Sequence, residues 1–166
     1  MMNSYFPSDW MTLRRIKRIV PMTSKDILVD FGSGKGRFIY LATSYPLKKI
    51  IGIEICPHLH RIALRNMELQ RKWSKCRNIS LINADAAGYT LEDRFTIAYF
   101  YNPFVDDLFI TVIERIRHSL KKDPRPLWII YKNPVMKPFL DTCDWLYFEH
   151  MSHNIAYYRA RLSAFN

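Results

Sequence analysis

The sequence predicts an α/β protein: a three-layer α-β-α sandwich around a seven-stranded, mostly parallel sheet with one antiparallel edge strand. Three observations carry this. Short apolar runs rich in Ile, Leu and Val alternate with stretches of helical periodicity along most of the chain, the pattern of buried parallel strands joined by right-handed helical crossovers. Two aromatic-rich runs close the chain with only Ser152, His153 and Asn154 between them, which suits a hairpin and therefore one reversed strand. The first strand also leads into a glycine-rich turn that opens a helix, an arrangement that binds ligands at the carboxyl edge of open α/β sheets.

Taken in order, residues 9–20 read as a short helix. Ser8 or Asp9 caps it, Trp10, Leu13, Ile16 and Val20 form its apolar stripe, and Pro21 stops it. Residues 26–31 (DILVDF) are the first strand, and Gly32-Ser-Gly-Lys-Gly36 is the turn. A helix carrying Phe38, Ile39, Leu41 and Ala42 follows and ends before Pro46. Residues 50–55 (IIGIEI) are the second strand, and a long helix starts at Pro57 and runs to about Ser74. Residues 79–83 and 95–101 are the third and fourth strands, the latter closed by Asn102-Pro103. Leu108, Val112, Ile116 and Leu120 place a helix over 105–120. Residues 127–131 form the fifth strand, stopped by Asn133-Pro134, and a short helix over 135–141 precedes the final pair, 145–151 and 155–161.

The bulk numbers narrow the function classes. A chain of 166 residues, 49% hydrophobic and 24% charged, fits one domain able to fold without disulfides or metals. Cys56, Cys76 and Cys143 form no CxxC pair and no zinc-finger spacing, and their odd number argues for a reducing compartment. The start, MMNSYFPSDW, lacks the apolar core of a signal peptide, and no apolar run approaches the length of a membrane span. The expectation is a cytoplasmic protein with no membrane partner; a homo-oligomer is left open. The net charge of +10 favours anionic partners such as nucleic acid, or simply keeps the surface solvated.

The turn reads Asp30-x-Gly32-x-Gly34-x-Gly36 and is followed by Arg37. A dinucleotide fold would place Gly or Ala where Arg37 stands. The acid at the strand end repels a pyrophosphate but attracts a ligand with a cationic amino group. S-adenosylmethionine (SAM) has such a group and no phosphate. The stretch DILVDFGSGKGRFIYLA resembles motif I of the class I (Rossmann-like) SAM-dependent methyltransferases, and the resemblance runs from about residue 25 to 161. It implies that Asp30, Gly32, Ser33, Gly34 and Gly36 hold the cofactor. It also implies that Glu54 binds both ribose hydroxyls and that Ile55 packs on the adenine. The resemblance further implies that Asp85, with Ala86 beside it, takes the adenine amino group, although Asp85 read by itself is also a turn residue or helix cap.

After the fourth strand the same resemblance places the acceptor side at Asn102, Pro103 and Phe104. The Asn102 side-chain carbonyl would accept from an amine, and Phe104 would stack on a planar group. The sequence lacks the second proline of the amino-methylating motif, so a nucleobase amine or glutamine amide does not follow from it. Asp106 and Asp107 read as bases or as helix caps. His58 and His60 read as surface or packing residues, and no metal site is expected. Residues 1–24 are expected to form a helical segment, with Tyr5, Phe6 and Trp10 in a lid, and residues 25–166 the catalytic domain. The expected activity is methyl transfer from SAM to an anionic acceptor such as nucleic acid, or to a protein amine. The alternatives are an NAD-type oxidoreductase and a non-catalytic SAM-binding scaffold.

Overall fold

In a computed structural model of the chain, residues 11–70, 74–90, 94–102, 104 and 106–165 are described. The elements are α1 (Thr12–Lys17), β1 (Ile27–Phe31), α2 (Arg37–Ala42), β2 (Lys49–Glu54), α3 (Pro57–Gln70), β3 (Ile79–Asn83), β4 (Ile97–Tyr101), α4 (Asp106–Lys122), β5 (Trp128–Lys132), α5 (Lys137–Thr142), β6 (Leu146–Ser152) and β7 (Ile155–Ala160), followed by a 3₁₀ turn at Leu162–Ala164.

The strands form one sheet in the order β3-β2-β1-β4-β5-β7-β6. Five pairings follow the expected directions: β1 is parallel to β2 and β4, β2 to β3, and β4 to β5, and β7 is antiparallel to β5. The reversed strand, β7, belongs to the edge pair; it lies between β5 and an outermost β6 to which it is also antiparallel. The hairpin turn explains the tight reversal. His153 and Asn154 both sit at positive φ (51° and 57°), the backbone that a two-residue type I′ turn requires.

Alternation along the strands builds two cores, one on each face. Val29, Phe31, Ala98, Phe100, Ile129, Tyr131 and Tyr158 point to the face covered by α4, whose Phe109, Val112, Ile113 and Ile116 complete that core. Leu28, Ile50, Ile97, Tyr99, Ile130 and Tyr157 point to the other face, under Leu13 and Ile16 of α1, Phe38 and Ile39 of α2, and Met67 of α3. Rings carry much of the packing: Phe31 stacks on Phe100 with centroids 4.8 Å apart, and Phe38 on Tyr99 at 3.6 Å.

Between β3 and β4, residues 86–88 form a turn; Asp85 closes it, its carbonyl accepting from the Gly88 and Tyr89 amides at 3.1 and 2.9 Å. One part differs from the sequence reading: the first helix is not simply a lid segment. Thr12, Leu13 and Ile16 are at most 2% exposed, so α1 forms part of the core. Tyr5, Phe6 and Trp10 lie outside the described residues.

Candidate functional site

The sheet order reverses beside β1: β2 and β3 lie to one side of it and β4 to the other. The carboxyl ends of β1, β2 and β4 therefore border the crevice where open α/β sheets bind ligands. The glycine turn sits there, and nothing in it is left to local propensity alone. The Gly32 and Ser33 amides donate to the Ile53 carbonyl at the end of β2 (2.8 and 3.0 Å), and the Gly36 amide donates to the Ser33 carbonyl (2.9 Å). The Asn66 side chain of α3 donates to the Lys35 carbonyl at 2.9 Å. Gly32, Gly34 and Gly36 all have positive φ (79°, 55° and 78°), which only glycine adopts without strain. At Gly36 the neighbour is also close, since a Cβ would lie 3.1 Å from that of Ala63.

A fourth glycine, Gly52, seats the turn against the sheet. A Cβ there would lie 2.2 Å from Ile39 Cδ1 and 3.0 Å from Ser33 Oγ, so α2 and the turn rest directly on β2. Gly52→Ala is expected to lower unfolding free energy by about 1–3 kcal/mol through overpacking, read as a shifted denaturant midpoint. Ile39→Val removes the clashing methyl and should recover part of the loss in the double variant. A midpoint unmoved by Gly52→Ala would contradict this packing.

Two carboxylates define the crevice's chemistry. Asp30, in β1, is 3% exposed. Burial, and secondly the negative charge of Glu54, raise its carboxyl well above the usual carboxylate range, because both disfavour the ionised form. Glu54, last in β2, is 6% exposed. Its Oε2 accepts from the Gly34 amide and its Oε1 from the Cys56 amide, each at 2.8 Å. This carboxylate thus ties the glycine turn to the start of α3. Asn83, at the end of β3, braces the same strand end. Its side-chain amide donates to the carbonyls of Glu54 (2.7 Å) and Ile55 (3.1 Å). Sequence reasoning passed over Asn83 and Asn66, because their partners lie 28 to 31 residues away. An amide side chain at a strand end beside the crevice was the available signal for Asn83.

The remaining residues divide. Ile55 is 56% exposed, an apolar side chain presented at the crevice end of β2. Asp85 is exposed and Ala86 buried, and the Asp85 Oδ1 accepts from the Ala87 amide at 2.9 Å, so its carboxylate caps its own turn. Asn102 follows β4 at φ 42°, and the Tyr131 hydroxyl lies 3.5 Å from its Oδ1. Burial raises the Tyr131 hydroxyl pKa, opposed by backbone hydrogen bonds from Met136 and Val135. Phe104 leans edge-on against Phe100, with centroids 6.3 Å apart, and Pro103 lies outside the described residues. Asp106 and Asp107 are exposed in the first turn of α4.

The site fits SAM on its own chemistry. The cradle is one that Cβ atoms would fill, and its donor set is two buried carboxylates at adjacent strand ends. One suits a cationic amino group and the other a vicinal diol.

The comparisons agree with this geometry. The methyltransferase family model Methyltransf_4 matches residues 24–105, the half of the chain that carries the glycine turn, Glu54, Asp85 and Asn102. A protein-lysine N-methyltransferase of Saccharolobus islandicus (strain REY15A) is 27% identical over 123 residues, covering 74% of this chain and 70% of that protein. Among solved structures, an RNA methyltransferase from Salinibacter ruber in complex with S-adenosyl-L-homocysteine superposes with a TM-score of 0.61 at 18% identity, covering 93% and 92% of the two chains. A ribosomal protein L11 methylase from Lactobacillus delbrueckii subsp. bulgaricus superposes with a TM-score of 0.64 at 12% identity, covering 90% and 75%. With motif, sheet order and family model in agreement, the oxidoreductase alternative falls away, and the chain belongs to the class I SAM-dependent methyltransferases.

Proposed function

We propose that this methyltransferase acts on an acceptor presented at the carboxyl ends of β4 and β5, and that the acceptor belongs to an anionic macromolecule, nucleic acid before protein. SAM supplies an electrophilic methyl group on a sulfonium. Asp30 binds its amino group, Glu54 its ribose hydroxyls, and Ile55 offers an apolar surface to its base. Asn102 orients the acceptor, which must meet the methyl group in line. The observation that carries the acceptor side is the position of Asn102: it follows β4, the strand paired to β1 opposite β2, with its backbone turned out of the strand at positive φ.

The net charge of +10 supports an anionic acceptor. A protein amine is the second reading, supported by the named activity of the Saccharolobus relative. The test is transfer of tritiated methyl from SAM into a cell extract divided into nuclease-treated and protease-treated halves. Label released by nuclease supports the first reading; label released only by protease replaces it with the second.

We read residues 1–24 as an N-terminal helical segment that includes a lid, and residues 25–166 as the catalytic domain. The three cysteines, none of them in a disulfide, support a cytoplasmic location; among the described residues no helix is long and apolar enough to cross a membrane. Deleting 1–20 would remove the buried Leu13, Ile16 and Val20 and unfold part of the core, so the informative truncation ends at residue 10. It is expected to leave the melting temperature within about 2 °C while lowering SAM affinity or turnover. Unchanged affinity and turnover would remove the lid.

A further inference from the structure

Residues 11–25 hold five cations and no carboxylate, half of the chain's net charge. In α1 the buried Thr12, Leu13 and Ile16 leave Arg14, Lys17 and Arg18 exposed at i, i+3 and i+4, which is one outer stripe of a helix. The placement of this stripe is fixed at one end. The Lys132 ammonium, at the carboxyl end of β5, donates to the Thr12 hydroxyl at 2.7 Å and lies 4.8 Å from the Tyr101 ring centroid. The helix therefore begins at the acceptor edge, one residue from Asn102 along β4. Its Leu13 and Ile16 pack into the same core cluster as Tyr157 of β7.

Two residues further along β7 the same sheet face continues as a ladder of rings and guanidinium groups. Trp128, Arg159 and Tyr147 are directly opposite one another across β5, β7 and β6. Arg159 lies 5.4 Å from the Trp128 ring centroid, and Arg161 lies 5.8 Å from that of Tyr147. Tyr147 is 49% exposed. Glu149, ion-paired to Arg159, is the acid within the ladder, and Arg161, Arg14, Lys17 and Arg18 are exposed.

A cationic stripe beside the exposed Tyr147 and the partly buried Trp128 is the chemistry that holds a single strand of nucleic acid: phosphates are matched by mobile cations and bases stack on rings. A duplex has no free base faces to offer the rings, and an acidic polypeptide would use the cations alone. We propose that this face, from the Trp128–Arg159–Tyr147 ladder along α1 to the Lys132 edge, is a track for single-stranded RNA that delivers a nucleotide to Asn102. Delivery rests on the acceptor reading above; the track itself does not.

The experiment is fluorescence anisotropy of the full chain with a labelled 20-nucleotide single-stranded RNA of mixed sequence, over a salt series. S-adenosylhomocysteine binding is measured calorimetrically on the same samples. The triple variant Arg14→Gln, Lys17→Gln, Arg18→Gln is expected to lose about tenfold or more in RNA affinity and to lower the logarithmic salt slope by about two. Tyr147→Ala is expected to lose about fivefold or more with the slope unchanged, as for one stacked base. S-adenosylhomocysteine binding should stay the same in both. Absence of RNA binding by the wild-type chain overturns the track. So does equal binding of the duplex form together with indifference to Tyr147→Ala, which reduces the face to general charge attraction. Preferential binding of poly-glutamate overturns it in favour of an acidic protein partner. Intact RNA binding without S-adenosylhomocysteine binding would sink the cofactor reading and leave the track standing.

Discussion

Asp30→Asn is expected to raise the melting temperature of the free protein at pH 7 and at the same time to weaken cofactor binding sharply. The two effects have one cause. Asp30 is buried beside Glu54, and both raise its carboxyl well above the usual carboxylate range. In the unfolded chain the same group ionises at its ordinary value. Below that value both states are protonated, and the contribution of Asp30 to stability is fully present. As pH rises the unfolded chain releases the proton first, and the contribution is lost up to the raised value in the fold. At neutral pH the free protein therefore holds either a costly proton or a costly buried charge.

Asparagine has the same shape and cannot ionise. We expect a gain of about 1 kcal/mol at pH 7, roughly 3 °C for a chain of this length, that disappears near pH 3.5, where both proteins are neutral at this position. SAM brings the cation that makes the aspartate favourable, so the variant should lose about 30-fold or more in affinity. By the same linkage, wild-type affinity for SAM should climb with pH as Asp30 gives up its proton. A variant that melts below wild type at pH 7, or that still binds SAM at wild-type affinity, would contradict the role given to this carboxylate.

Glu54→Ala is expected to fail in both respects. Glu54 is the acceptor for two backbone amides, those of Gly34 and Cys56. Leaving one buried and one partly buried donor without a partner costs about 1–3 kcal/mol each, so a loss of about 2–4 kcal/mol is expected in chemical denaturation. The glycine turn would also lose its tie to α3, and the ribose hydroxyls their acceptor, so binding should fall below detection. Glu54→Gln separates the two effects. One oxygen remains to accept from an amide, and most of the stability should return while affinity does not. If Glu54→Ala were as stable as wild type, the carboxylate would not be what holds the turn.

Much of the fold was legible because its signals are local. The central strands are apolar runs such as DILVDF and IIGIEI, buried on both faces of the sheet, while the edge strands β3 and β6 are only partly buried, and Pro57 marks the start of α3 where proline suits the first turn. The hairpin was legible in Ser152, His153 and Asn154, since three residues leave no room for a crossover. The cofactor side was legible because Asp30, the glycines and Glu54 stand at strand ends, where a one-dimensional pattern becomes a place. What stayed hidden depends on residues far apart. Lys132 reaches Thr12 across 120 positions, which turns the N-terminal helix from a loose cover into part of the core. Asn83 steadies the end of a neighbouring strand, and no spacing in the chain announces it. Gly52 reads as a plain strand residue until Ile39 is laid over it. Asp85 carried two readings in the sequence; its capping of the Ala87 amide gives the turn its geometry, while its place beside the adenine belongs to the resemblance alone.

The central claim is that the Asp30–Glu54 crevice is a SAM site. Calorimetric titration of the purified chain with S-adenosylhomocysteine tests it most directly, with Asp30→Asn titrated in parallel because that variant is expected to be fully folded. Micromolar binding by wild type at neutral pH, in the range of about −8 kcal/mol, is expected, and binding weaker by about 30-fold or more for the variant. Absence of binding by the wild-type chain, or equal binding by a folded Asp30→Asn, would contradict it.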